Sequence, residues 1–246
     1  MREADISYAQ QTFDYALSQK NTGTESVWFD MAAVIQIPKL STGKAFYLRK
    51  YKTYMEGFHM GSTKQNHLYC WGQKDGNKGS IEVVSALYML INQHVEPTTK
   101  HLVLWMDNTS SQNKNSNMLL FMLLLTDPKS PLFRFDRVSL KFAPVGHTYS
   151  HCDRSFAHIG QHMKKRKVIA DPKELLEIGN ETKNCNSHWL EREQRIYNWY
   201  AYLEQFFAID NKLLYHDERP TLMKTRQFSF GFTDIEDEKT GSTVLI

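Results

Sequence analysis

The stretch HLVLWMDNTSSQNKN, His101 to Asn115, decides how this chain is read. Five of its first six residues are apolar and the other is His101, so His101–Met106 predicts a buried strand. Asp107 stops it. Asn108, Thr109, Ser110, Ser111, Gln112, Asn113, Lys114 and Asn115 then form a polar crossing of side chains that bond to nearby backbone, ahead of a helix over Ser116 to Leu125. An acid at the carboxyl end of a buried strand is where an open α/β sheet holds its ligand. The plainer reading of Asp107 is the start of a turn.

Upstream, Val27 to Ile37 (VWFDMAAVIQI) predicts a central strand that ends before Pro38 and carries one acid, Asp30. Burying an unpaired carboxylate costs several kcal/mol, so Asp30 requires a cation, a metal ion or water. Two further strands, over Lys44 to Phe58 and His67 to Trp71, suggest a meander with the first. Asp75 to Gly79 reads as a turn. Ser80 then caps a helix that buries Ile81, Val84, Leu87, Tyr88 and Ile91. Glu82 falls in its first turn, where the helix dipole alone accounts for a carboxylate.

Downstream, Phe133 to Phe142 alternates as a strand. A helix over Ser150 to Lys165 follows, with Phe156, Ile159 and Met163 inward, Asp153 near its start and the cations Lys164, Lys165, Arg166 and Lys167 at its end. Those cations suit a helix carboxyl end, nuclear import or phosphate contact equally. A short helix through Leu175 and Ile178, an amphipathic aromatic helix over 187–208 and an acidic, then polar, disordered tail complete the chain. The expected division is a leading helix (1–27), a main α/β domain (28–180), a helical extension (181–232) and the tail (233–246).

Composition sets bounds on function. The 246 residues are 41% apolar, ample for a core, and a net charge of +3 permits a nucleic-acid partner without demanding one. Cys70, Cys152 and Cys185 lack any CxxC spacing, which argues against a disulfide framework and a cysteine-rich zinc module. Met118–Leu125 is too short to cross a bilayer, and MREADISYAQ at the amino terminus is too polar for a signal peptide. These features lead to the expectation of a soluble intracellular protein with no membrane partner, in nucleus or cytoplasm. His147, His151, Cys152, His158 and His162 crowd one span and permit zinc, although HxxxH without HExxH is a weak signal.

The segments FDMAAVIQIPKL (29–40), FYLRKYKTYMEGFH (46–59), YCWGQKDGNKGSIEVVS (69–85), DNTSSQNKN (107–115) and GHTYSHCDRSF (146–156) resemble, in order and spacing, an uncharacterised transposon-associated domain family. The resemblance implies a ribonuclease H-like fold, as in DDE-type transposases and retroviral integrases: a mixed five-stranded sheet flanked by helices. It makes Asp30, Asp107 and Asp153 ligands for Mg2+ or Mn2+, with Glu82 as a further candidate and His147 as a residue that orients water or contacts phosphate. Gln112, Asn113 and Lys114, with Lys164, Lys165, Arg166 and Lys167, would grip a nucleic-acid backbone, DNA before RNA, with homo-oligomerisation allowed. There are departures. Gln73 stands where the family carries an acid two residues after its tryptophan, and Thr109 and Ser111 replace a cysteine and a glycine.

Two function classes follow. One is a divalent-metal-dependent nuclease or DNA strand transferase, in which two metal ions clamp the attacking and leaving oxygens of a phosphodiester displacement. The other is a domesticated, catalytically inactive module that binds nucleic acid or protein through the same groove. Transposases also carry a separate DNA-recognition domain, and nothing ahead of residue 28 is long enough to be one, so a fragment of a longer protein is expected.

Overall fold

Two strands set side by side in parallel, β1 (Thr24–Met31) and β5 (His101–Met106), form the centre of one sheet, with Trp28 paired to Trp105. The computed structural model describes residues 3–20, 22–40, 49–107, 113, 115–143, 151–206 and 227–231. Around the central pair are β2 (Ile35–Ile37), β3 (Tyr51–Met60), β4 (Asn66–Gly72), β6 (Arg137–Phe142), β7 (Cys185–Trp189) and β8 (Gln227–Gly231). The sheet runs β7-β4-β3-β1-β5-β6-β8, and β2 pairs with β3 beside this path. β3 is antiparallel to both β1 and β4, β5 and β6 are parallel, β7 is parallel to β4, and β8 is antiparallel to β6. The fold is therefore α/β with a mixed sheet.

Helices cover both faces. On one lie α2 (Ser80–His94), α3 (Ser116–Thr126) and α7 (Trp199–Leu203), sealing a core that includes Phe29, Phe58, Trp71, Leu87, Phe121 and Trp199. Helix α3 has Asn115 as its cap, the side chain accepting Met118 N–H at 3.2 Å. Ser85 of α2 accepts both Trp199 Nε1 at 2.9 Å and Tyr197 N at 3.1 Å, which ties the last helix down. On the other face α4 (His151–Lys165) and α5 (Glu174–Glu181) close over Met55, Leu68 and Cys70. Helix α1 (Glu3–Gln19) covers the central tryptophans there. Its Asp14 takes 2.8 Å contacts from Trp105 Nε1 and Lys141 Nζ. The short α6 (Arg192–Arg195) follows β7.

Three expectations change. The strand expected over Val27–Ile37 divides at residues 32–34 into β1 and β2, and the 27/28 boundary falls inside β1. Among the described residues the sheet has eight strands rather than five. The extension at 181–232 is not purely helical, and the helix expected over 187–208 is replaced by β7, α6 and α7. The reason lies at the sheet edge. β4 is buried along its length, so its outer backbone groups need partners, and Cys185–Trp189, entered through Asn184 at φ 57°, supplies them. β8 does the same for β6 through an alternating Phe228 and Phe230. The tail at 233–246 lies outside the described residues.

Gly57 of β3 fixes how closely α4 approaches. A Cβ there would stand 2.8 Å from Phe156 Cζ, and the Cys152 thiol donates to the carbonyls of Gly57 (3.2 Å) and Trp28 (3.3 Å). Gly57→Ala is expected to cost about 1–3 kcal/mol by overpacking, read as a lower thermal midpoint.

Candidate active site

The β1–β5 register delivers the acids. Asp30 and Asp107 each lie two residues beyond the paired Trp28 and Trp105, so they reach the carboxyl ends of adjacent parallel strands together. Asp30 is half-buried and its Oδ1 accepts Met31 N–H at 2.8 Å. Asp107 Oδ1 accepts the Asn113 side-chain amide at 2.5 Å. Asp153 comes from the first turn of α4, which packs against β1 and β3. Burial first, then the charge of Asp107 and more weakly that of Asp153, push the Asp30 carboxyl up to about 6, against the Met31 hydrogen bond and the Lys78 charge.

Glu56 is a further buried acid that feels the charges of Asp30 and Asp107, although the sequence patterns do not single it out. It lies on β3 opposite Met31, is 1% exposed, and neither carboxylate oxygen has a hydrogen-bond partner. Burial, then the charges of Asp30 and Asp107, hold its carboxyl well above the usual range. Strand alternation gives it the parity of Tyr54 and Phe58, the face under α2 and α3, whereas Asp30 shares the parity of Trp28. The signal that could have found it is the one that marks Asp30: YMEGF, like VWFDM, sets a lone acid within an aromatic strand. Lys78, in the turn ahead of α2, is the cation near both acids.

Other candidates serve different ends. Glu82 faces the loop before α2, where Oε1 accepts Asn77 N–H at 2.7 Å, and so closes that turn. Asn113 is 2% exposed and bonded to Asp107, which makes it an orienting group rather than a surface grip. Arg166 is drawn to α5 by Glu177 at 3.3 Å and Glu181 at 2.5 Å, while Lys164, Lys165 and Lys167 are exposed. Gln112, Lys114 and His147 lie outside the described residues. Among the described residues the histidine span forms no three-ligand group: His151 stacks on His59 at 4.5 Å and Tyr15 at 5.4 Å, and His162 reaches Glu181 at 3.6 Å.

The donor chemistry of Asp30, Asp107 and Asp153 suits a hard cation. Among the described residues no three acids bring ligand oxygens within 4.8 Å of one another. A cleft of about 730 Å³ bordered by Tyr51, Asp75, Trp189 and Arg192 takes in none of these acids. Nor is there, among the described residues, a helix long and apolar enough to cross a membrane.

An α/β chain with acids at the carboxyl ends of its central parallel strands defines the class. Residues 45–229 match a family described as a domain of unknown function, DUF7869, and the chain belongs to that family. No curated protein and no solved structure matches it.

The acid group makes stability pH-dependent. The folded protein holds the Asp30 proton up to about pH 6, and the unfolded chain releases it at about pH 4. Its stabilising contribution is complete below the lower value and disappears as the pH rises through the upper one. Without divalent cations, Asp30→Asn is expected to gain about 1–2 kcal/mol at pH 8, solvent screening allowed for, and nothing at pH 4. Thermal melts in chelator at the two pH values check this.

Proposed function

We propose that this chain is a ribonuclease H-like domain that cleaves or joins DNA with Mg2+ or Mn2+ held by Asp30, Asp107 and Asp153. The observation that carries the reading is the convergence of these acids, felt as mutual repulsion at Asp30. The strand order supports it: β4-β3-β1-β5-β6 is an antiparallel meander joined to two parallel strands, with α2, α3 and α4 following β4, β5 and β6. This order is compatible with the five-stranded sheet that the resemblance implies, to which β2, β7 and β8 would be additions.

When bound, the cation supplies Lewis acidity toward phosphate and lowers the pKa of a bound water. The chain's own residues do the rest. Asp107 is held in orientation by Asn113, and such outer partners typically matter by 10–100-fold. Lys78 offers a positive charge beside the acids, suited to a phosphate oxygen. Exposed Lys164, Lys165 and Lys167 would follow the backbone of the same strand. The nucleus is the compartment that fits a DNA substrate.

A second reading, an inactive binding module, has one observation in its favour. Gln73, standing where the resemblance carries an acid, serves the architecture, because its Oε1 accepts Lys52 N–H at 3.0 Å.

Labelled single- and double-stranded DNA should be cut in Mg2+ or Mn2+. Asp107→Asn should lower the rate by more than about 100-fold and Asn113→Ala by about 10–100-fold, both in protein that is folded at the assay temperature. No cleavage, with DNA binding indifferent to Asp107→Asn and to chelator, would replace the enzyme by the binding module.

A further inference from the structure

Strands β4 and β7 pair in parallel, with Tyr69 opposite His188 and His67 two residues before Tyr69. His67 and His188 therefore share one face of the sheet, the face that α2 covers. The last turn of α2 carries His94. The His67 and His94 rings stack at 3.8 Å, and His188 lies 5.5 Å from His94 and 6.0 Å from His67 by ring centroids.

One nitrogen on each ring is buried without a hydrogen-bond partner: Nδ1 of His67, Nε2 of His94 and Nε2 of His188. An unsatisfied buried polar atom is costly, and three at one place call for a shared partner. Each histidine has a ligand nitrogen within 4.8 Å of those of the other two. We propose that His67, His94 and His188 form a binding site for a borderline divalent ion, Zn2+, which clamps the edge strand β7 to β4 and α2.

Three imidazole nitrogens select Zn2+ over Mg2+, which requires oxygen donors. A tetrahedral ion with bonds of about 2.0–2.1 Å brings its ligand nitrogens to about 3.3 Å apart, so binding closes the group by a small rotation of each ring. His67 is buried, while His94 and His188 are half-buried and give the ion a way in. Burial, reinforced by neighbouring histidines, lowers His67 to about 3 and His188 to about 4, and burial lowers His94, so all three are neutral and ready to coordinate at pH 7. Arg195 is the cation nearby; its Nη1 is engaged by the Trp189 carbonyl at 3.0 Å. The fourth position is left to water, as in zinc sites with three protein ligands. This site is independent of the nuclease reading: its ligands are nitrogens, and Tyr69 stands between Glu56 and His188 in one cross-strand row.

The test is metal binding by the full chain stripped with chelator. Calorimetric titration with Zn2+ should give one ion per chain with a Kd in the micromolar range or tighter, Co2+ should develop the visible absorption of a tetrahedral site, and Zn2+ should raise the thermal midpoint. Millimolar Mg2+ should do none of these. His94→Gln and His188→Gln, at half-buried positions, should each leave a folded protein whose zinc affinity falls at least tenfold. Absence of stoichiometric Zn2+ binding would overturn the site. Undiminished binding in both variants would overturn it too, and would move the zinc to other ligands.

Discussion

Parallel pairing of β1 with β5 is the constraint on which the candidate active site rests, because it forces two carboxylates onto the same end of the sheet. Burial and the neighbouring acids together push the Asp30 carboxyl up to about 6, a penalty on its charged form of about 3 kcal/mol in all. Burying one tryptophan side chain returns about 4–6 kcal/mol. Trp28 and Trp105 are both 3% exposed, packed together with Val103 beneath Tyr15 of α1. Apolar burial of that pair therefore exceeds the penalty it imposes, and the fold carries the acids as a tolerated strain. A fold that needed only stability would place neutral residues there, and the proposed function rests on that cost.

The other elements hold that register in place. Asp14 joins α1 to β5 and β6 through Trp105 and Lys141, and the ion pair with Lys141 is largely buried on both sides. Phe156 against Gly57, with Cys152 on two strand carbonyls, seats α4 and so delivers Asp153. Loss of either support would shift an acid relative to its neighbours without touching it.

Periodicity made the central elements legible. His101–Met106, the buried face of α2 and the helix ending at Lys165 appear where their patterns predict, and the adjacency of Asp30 and Asp107 follows from two parallel strands. The edges were not legible. Cys185–Trp189 is polar and short, and its strand state depends on an unpaired neighbour, β4, that pattern reading cannot see. The aromatics of 187–208 suggested one helix, yet Trp189 ends a strand and Trp199 starts a separate helix. Glu56 was obscured by Arg49, Lys50 and Lys52, which make its strand look exposed, although Thr53 to Met60 are buried. The histidine group was invisible because its members come from two strands and a helix end, with no motif linking them.

These edges bear on function as well as architecture. The outermost strand on one side, β7, comes from a segment far along the chain from β4, and Arg192, Ile196 and Asn198 from the residues just after it border a cleft shared with Gln73, Asn77 and Glu82. Glu82, through Asn77, shapes the same turn that carries Lys78 toward the acids. The segment after β7 therefore borders the turn that holds Lys78 and lies away from β1 and β5. The register of the acids themselves is set by strands in the middle of the sheet. The centre fixes which carboxylates meet, and the turn that Glu82 closes ahead of α2 sets the positive charge that faces them.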